Sequence, residues 1–168
     1  MLKFLIFSLF AISIHTQASD KHTGERVIYR LIYDGRDQAV AIADVLSKTE
    51  DRLYQIETQL YIEETQEFLT SYVSEDHISN KKSMTQILND CRSMGGKIDR
   101  VYAAGRLSKS CKLSVNHPIA KERLSLLNIK DKDLSRGFVW LGQVPVYGII
   151  KLNSPELIMD ITYFLWMQ

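Results

Sequence analysis

The sequence predicts an α+β fold: a single small domain whose antiparallel sheet is packed by a long N-terminal helix and a shorter, disulfide-pinned helix. Three observations predict it. Apolar residues recur at helical spacing after Asp37, Ser83–Gly96 reads as a capped and glycine-terminated helix, and Lys97–Val115 alternates like a hairpin. The chain has 168 residues, 45% apolar and 24% charged, with a net charge of +1. That composition supports one packed core rather than a disordered chain.

The first eighteen residues address the chain before they fold it. Met1-Leu2-Lys3 is a short positive n-region, Phe4–Ile14 is free of charge, and His15–Ala18 is polar with Thr16 and Ala18 at −3 and −1. This is the layout of a secretory signal peptide, with the mature chain starting at Ser19 or Asp20. The apolar run is well short of the ~20 residues a membrane-spanning helix needs. Residues 19–168 are expected to form one soluble exported domain, periplasmic or extracellular, with no membrane span. They carry 20 basic and 20 acidic side chains, a balance that does not point to nucleic acid as a partner.

The exported part opens with a strand at Glu25–Tyr33, where Val27, Tyr29, Leu31 and Tyr33 share one face. Asp34-Gly35 reads as a turn, with Asp34 as the N-cap of the next element. From Asp37 onward Ile42, Leu46, Thr49, Leu53, Ile56 and Leu60 recur every three or four residues. That seam predicts a helix of about 25 residues. Tyr61–Val73 suits either helix or strand; its Glu63, Glu64 and Glu67 read as a solvated acidic face. Ser74–Lys82 is a polar linker.

Ser83-Met84-Thr85-Gln86 has the form of a capping box. Met84, Ile87, Leu88, Cys91 and Met94 then line one helical face, and Gly95-Gly96 stops the helix. Lys97–Ala103 and Arg106–Val115 read as strands about a tight Ala104-Gly105 turn. A two-residue loop would set Ile98 opposite Cys111, Arg100 opposite Lys109 and Tyr102 opposite Leu107. Cys91 and Cys111 are the only cysteines. In an oxidising compartment they are expected to form a disulfide pinning the helix to the hairpin, in preference to a thiolate served by His77 or His117.

Beyond the break at His117-Pro118, Ile119–Asn128 reads as a short helix and Lys130–Asp133 as a charged loop. Gly137–Val144 and Val146–Leu152 read as strands. Ser154-Pro155-Glu156 looks like a helix start, and Pro155–Met167 like a helix that is apolar nearly all round, with a strand completing the sheet as the competing reading. Leu157, Ile161, Phe164, Leu165 and Trp166 are therefore either core or a partner surface, because exposed together they would exceed what a soluble monomer tolerates.

No nucleophile elbow, phosphate loop, dinucleotide fingerprint or metal-ligand spacing occurs in the chain. No catalytic, cofactor-binding or metal residue is assigned, and no cofactor is implied. The expected function is a non-catalytic binding or interaction protein of the cell envelope, with a protein or envelope component as partner. The competing expectation is a small envelope hydrolase or ligand carrier with a motif-free pocket. A deep pocket favours the second and a shallow apolar patch the first.

Overall fold

The computed structural model describes residues 21–33, 37–62, 65–129 and 134–167. Nine strands form one antiparallel sheet: β1 (Arg26–Tyr33), β2 (Asp37–Lys48), β3 (Leu53–Ile62), β4 (Thr65–Ser74), β5 (Lys97–Ala103), β6 (Arg106–Ser114), β7 (Phe138–Gly142), β8 (Ile149–Asn153) and β9 (Leu157–Leu165). Two short helices, α1 (Lys81–Asp90) and α2 (Pro118–Leu126), complete the described structure. The spatial order is β4-β3-β2-β1-β9-β8-β7-β6-β5. One meander runs from the middle to one edge, α1 lies in the crossover to the opposite edge, and a second meander returns to the middle.

The predicted helix-packed α+β fold is therefore wrong in its main element. The stretch after Asp37 is two strands joined at Thr49–Arg52, not a long helix. Its physical pattern has period two: Ala39, Ala41, Ala43 and Val45 are buried, whereas Leu46 of the supposed seam is 43% exposed. Alanine is a weak apolar marker and a good helix former, so the larger Ile42 and Leu46 dominate the reading. Pairing with β1 and β3 on both sides overrides that local preference. A bulge between Val45 and Ser47 sets Leu46 apart from the regular register.

The C-terminal segment is corrected in the same way. Leu157–Leu165 is strand β9, seated between β1 and β8, with Leu157, Met159 and Ile161 alternately buried. Ser154 does not cap a helix. Its hydroxyl accepts from the Leu157 amide at 2.9 Å, and the Ser154 amide donates to the Leu157 carbonyl at 3.0 Å, closing the β8–β9 turn. The described residues of Tyr61–Val73 are strand, 61–62 in β3 and 65–73 in β4.

Other elements match the sequence reading closely. β5 spans Lys97–Ala103, and the register sets Ile98, Arg100 and Tyr102 opposite Cys111, Lys109 and Leu107. Ala104 (φ 48°) and Gly105 (φ 78°) form a two-residue turn with both central residues left-handed. Helix α1 starts at Lys81, with Asn80 as N-cap and Ser83 completing a reciprocal box three residues on; Ser83 is the far partner of the cap rather than the cap itself. His117 caps α2 and Pro118 opens it. Residues 1–18, Asp34-Gly35, Glu63-Glu64 and Lys130–Asp133 lie outside the described residues.

Two short helices cannot cover nine strands, so the sheet covers itself. β5 touches β8 and β9, three and four places away in the sheet order. The Ala104 amide donates to the Ile161 carbonyl at 3.4 Å, and the Tyr29 hydroxyl reaches across β9 to the Ile149 carbonyl at 2.9 Å. The sheet is thus curled, and its concave face, with α1 and α2, holds one continuous apolar core. The convex face carries charge pairs such as Arg30–Asp160 and Lys151–Asp160, both at 3.4 Å. Among the described residues no helix is long and apolar enough to cross a membrane.

Candidate functional site

Cys91 and Cys111 are joined by a disulfide with Cα atoms 5.6 Å apart, both fully buried. The bond ties the C-terminal end of α1 to the middle of β6. Gly96 lets the chain pass beside it: a Cβ there would lie 2.8 Å from Cys111 Sγ and 2.7 Å from Leu113 Cδ2. The histidines weighed as thiol partners have other tasks. His77 Nδ1 lies 2.9 Å from the Ser74 hydroxyl, and His117 Nδ1 accepts from the Ile119 amide at 3.3 Å.

The candidate partner surface divides. Leu157 and Ile161 are buried in the concave core, Phe164 and Trp166 are half-buried, and Leu165 is 43% exposed. The structure places no single apolar patch there, because strand geometry sends alternate side chains to opposite faces.

Instead the concave face holds a half-open cavity of about 640 Å³, within the range of small-molecule sites. Leu31 of β1 lies beside Met159 of β9, and Ala41 of β2 beside Leu60 of β3. These four side chains make the floor. Leu157, two residues before Met159 on the same face of β9, extends that floor, and Leu127 and Ile129, just past the end of α2, line the cavity with Leu134. The small inward residue at position 41 is what leaves the space.

At its inner end Thr58 shares a hydrogen bond of 3.0 Å with the Tyr147 hydroxyl, whose burial pushes its phenol up to about 12. At the mouth stand Tyr33, Glu67 and Glu156. Burial first, and then the Glu67 charge, raise the Tyr33 phenol above its ordinary value. The Glu156 carboxylate accepts from the Ser135 hydroxyl, which holds its carboxyl below the usual range. Among the described lining residues these two glutamates are the only charged groups, and none is a His, Cys or Ser. Such walls can desolvate an apolar body and meet a polar end at the mouth.

A second polar pair lies apart from the cavity. His22 Nδ1 lies 3.1 Å from Glu25 Oε1, both groups are buried, and the His22 ring stands edge-on to Tyr54 at 5.1 Å. Burial outweighs the His22 contact and raises the Glu25 carboxyl above its usual range. Among the described residues no three His, Cys, Asp or Glu side chains converge in a way that could hold a metal ion.

Sequence reasoning missed the cavity because its floor comes from four strands. The available signal was the alternation of Ala39, Ala41 and Ala43, small residues placed where a core-facing strand ordinarily carries large ones. No family model, no curated protein and no solved structure matches this chain.

Proposed function

We propose that this protein is an exported binding protein that holds an apolar small molecule in the cavity of its curled sheet. The observation that carries the reading is the half-open cavity itself, lined mainly by apolar side chains, with the Thr58 hydroxyl at its inner end and its carboxylates at the mouth. The Cys91–Cys111 bridge and the signal-peptide pattern of residues 1–18 support an oxidising, exported location. The Glu67 and Glu156 carboxylates favour a ligand whose polar end is uncharged or cationic. A fatty carboxylate would bring like charge to a partly desolvated rim.

Binding of straight-chain alcohols, amines and acids of equal length, measured by displacement of an uncharged fluorescent probe, tests this. The alcohol and the amine are expected to bind more tightly than the acid. Ala41→Leu, which fills the floor, should weaken the probe about ten-fold or more while thermal stability changes little. Val40→Leu, on the convex side of the same strand, should leave binding unchanged. Equal binding by the wild type and Ala41→Leu would overturn the proposal.

A further inference from the structure

The β5–β6 hairpin concentrates positive charge in a chain that is balanced as a whole. Between Lys97 and Lys112 lie five cations, Lys97, Arg100, Arg106, Lys109 and Lys112, against the single acid Asp99. The register sets Arg100 directly opposite Lys109, a like-charge pair that destabilises a hairpin. Among the described residues neither has a salt-bridge partner. Asp99 cannot serve them, since alternate side chains take opposite faces and its carboxylate is engaged by the Trp140 indole at 2.9 Å.

Ahead of that cationic pair, toward the turn, stands an apolar one. Tyr102 is opposite Leu107, and they are 72% and 55% exposed. The turn itself places Ala104 in a left-handed conformation that Asn or Gly adopts more readily. The tip therefore accepts backbone strain while keeping a polar side chain out of that position. The disulfide at Cys111 behind the pair and the Ala104–Ile161 hydrogen bond at the turn fix the hairpin to the domain, so the pair is presented on a rigid mount.

We infer that this hairpin docks the protein on an anionic phospholipid surface. Tyr102 and Leu107 enter the interfacial layer, where an aromatic ring with a polar tip and an aliphatic side chain are both favoured. Arg100 and Lys109, two residue pairs behind and next along the same face, meet the lipid phosphates, and the long Arg106 side chain extends to the same level. An apolar tip backed by cations fits a bilayer better than a polyanion, which would engage the cations and leave Tyr102 and Leu107 in water. The inference does not depend on whether the cavity binds a ligand.

Co-sedimentation with vesicles tests it. The protein should bind 7:3 phosphatidylcholine:phosphatidylglycerol vesicles in low salt, bind pure phosphatidylcholine vesicles at least about ten-fold more weakly, and be released by raised salt. The double variant Arg100→Ser/Lys109→Ser should lose about thirty-fold in partitioning. Tyr102→Ser/Leu107→Ser should lose about ten-fold or more with its charge intact. Both variants replace exposed side chains, and circular dichroism checks their folding. If either misfolds, the lipid and salt dependence of the unaltered protein decides alone. Equal binding to both vesicle types overturns the inference. So does loss on removing the cations with no loss on removing Tyr102 and Leu107, which marks a general polyanion site.

Discussion

Replacing both Cys91 and Cys111 with alanine removes the covalent link between α1 and the sheet, and the structure sets the size of the effect. The two residues are 20 positions apart, so the bond closes a loop whose chain entropy in the unfolded state amounts to about 3 kcal/mol. Both cysteines are fully buried, with Cys111 Sγ beside Gly96, and the small void left by alanine adds up to about 1 kcal/mol. A loss of about 3–4 kcal/mol is a large share of the roughly 5–15 kcal/mol that stabilises a domain of this size. It corresponds to a drop of about 6–15 °C in Tm. Urea unfolding followed through the buried Trp140 measures it in the oxidised protein, the reduced protein and the double variant. The last two should agree within about 1 kcal/mol, because the entropic term dominates. A difference below about 1 kcal/mol between oxidised and reduced protein would refute the reasoning, since α1 would then be held as firmly without its link.

The same geometry sets three further outcomes. Deleting residues 157–168 removes the strand between β1 and β8; circular dichroism should show an unfolded or insoluble chain, and a folded monomer would contradict the topology. Gly96→Ala forces a Cβ to within 2.9 Å of the Cys91 carbonyl and closer still to Leu113, and should cost about 1–3 kcal/mol in urea unfolding; a neutral result would mean that the segment shifts freely. Because burial raises the folded Glu25 carboxyl above 4.5, the folded state holds a proton that the unfolded state has released just above that pH. Glu25 therefore lowers stability as pH rises through that window, and Glu25→Gln should flatten the slope. Glu75, Asp99 and Glu156, held below their ordinary values, act with the opposite sign below pH 4.5. An unchanged slope in Glu25→Gln would count against the buried-carboxyl account.

The parts of the fold that the sequence discloses are those fixed by neighbours in the chain. The β5–β6 register comes from the Ala104-Gly105 turn, and the face of α1 comes from Met84, Leu88 and Cys91 at helical spacing. β2 is different. Ile42 and Leu46 imitate a helical seam, and only the ladders from β1 and β3, set by distant segments, reveal that Ala39, Ala41 and Ala43 are the buried side. β9 deceives for the same reason: Leu157 and Ile161 belong to the core and Leu165 to the surface, a division that appears once β1 and β8 flank the strand. The cavity inherits this difficulty. Leu31, Ala41, Leu60 and Met159 become neighbours through strand pairing, and their spacing along the chain carries no trace of it.

The claim that the concave face holds an apolar ligand is tested most directly by methyl-detected NMR during titration with a long-chain alcohol. The cavity account predicts saturable shifts at Leu31, Ala41, Leu60 and Met159 and none at Val40 and Ile42, which the same two-residue alternation sends to the convex face. Shifts confined to the convex face, or the absence of any saturable shift at those four methyl-bearing residues, would contradict it.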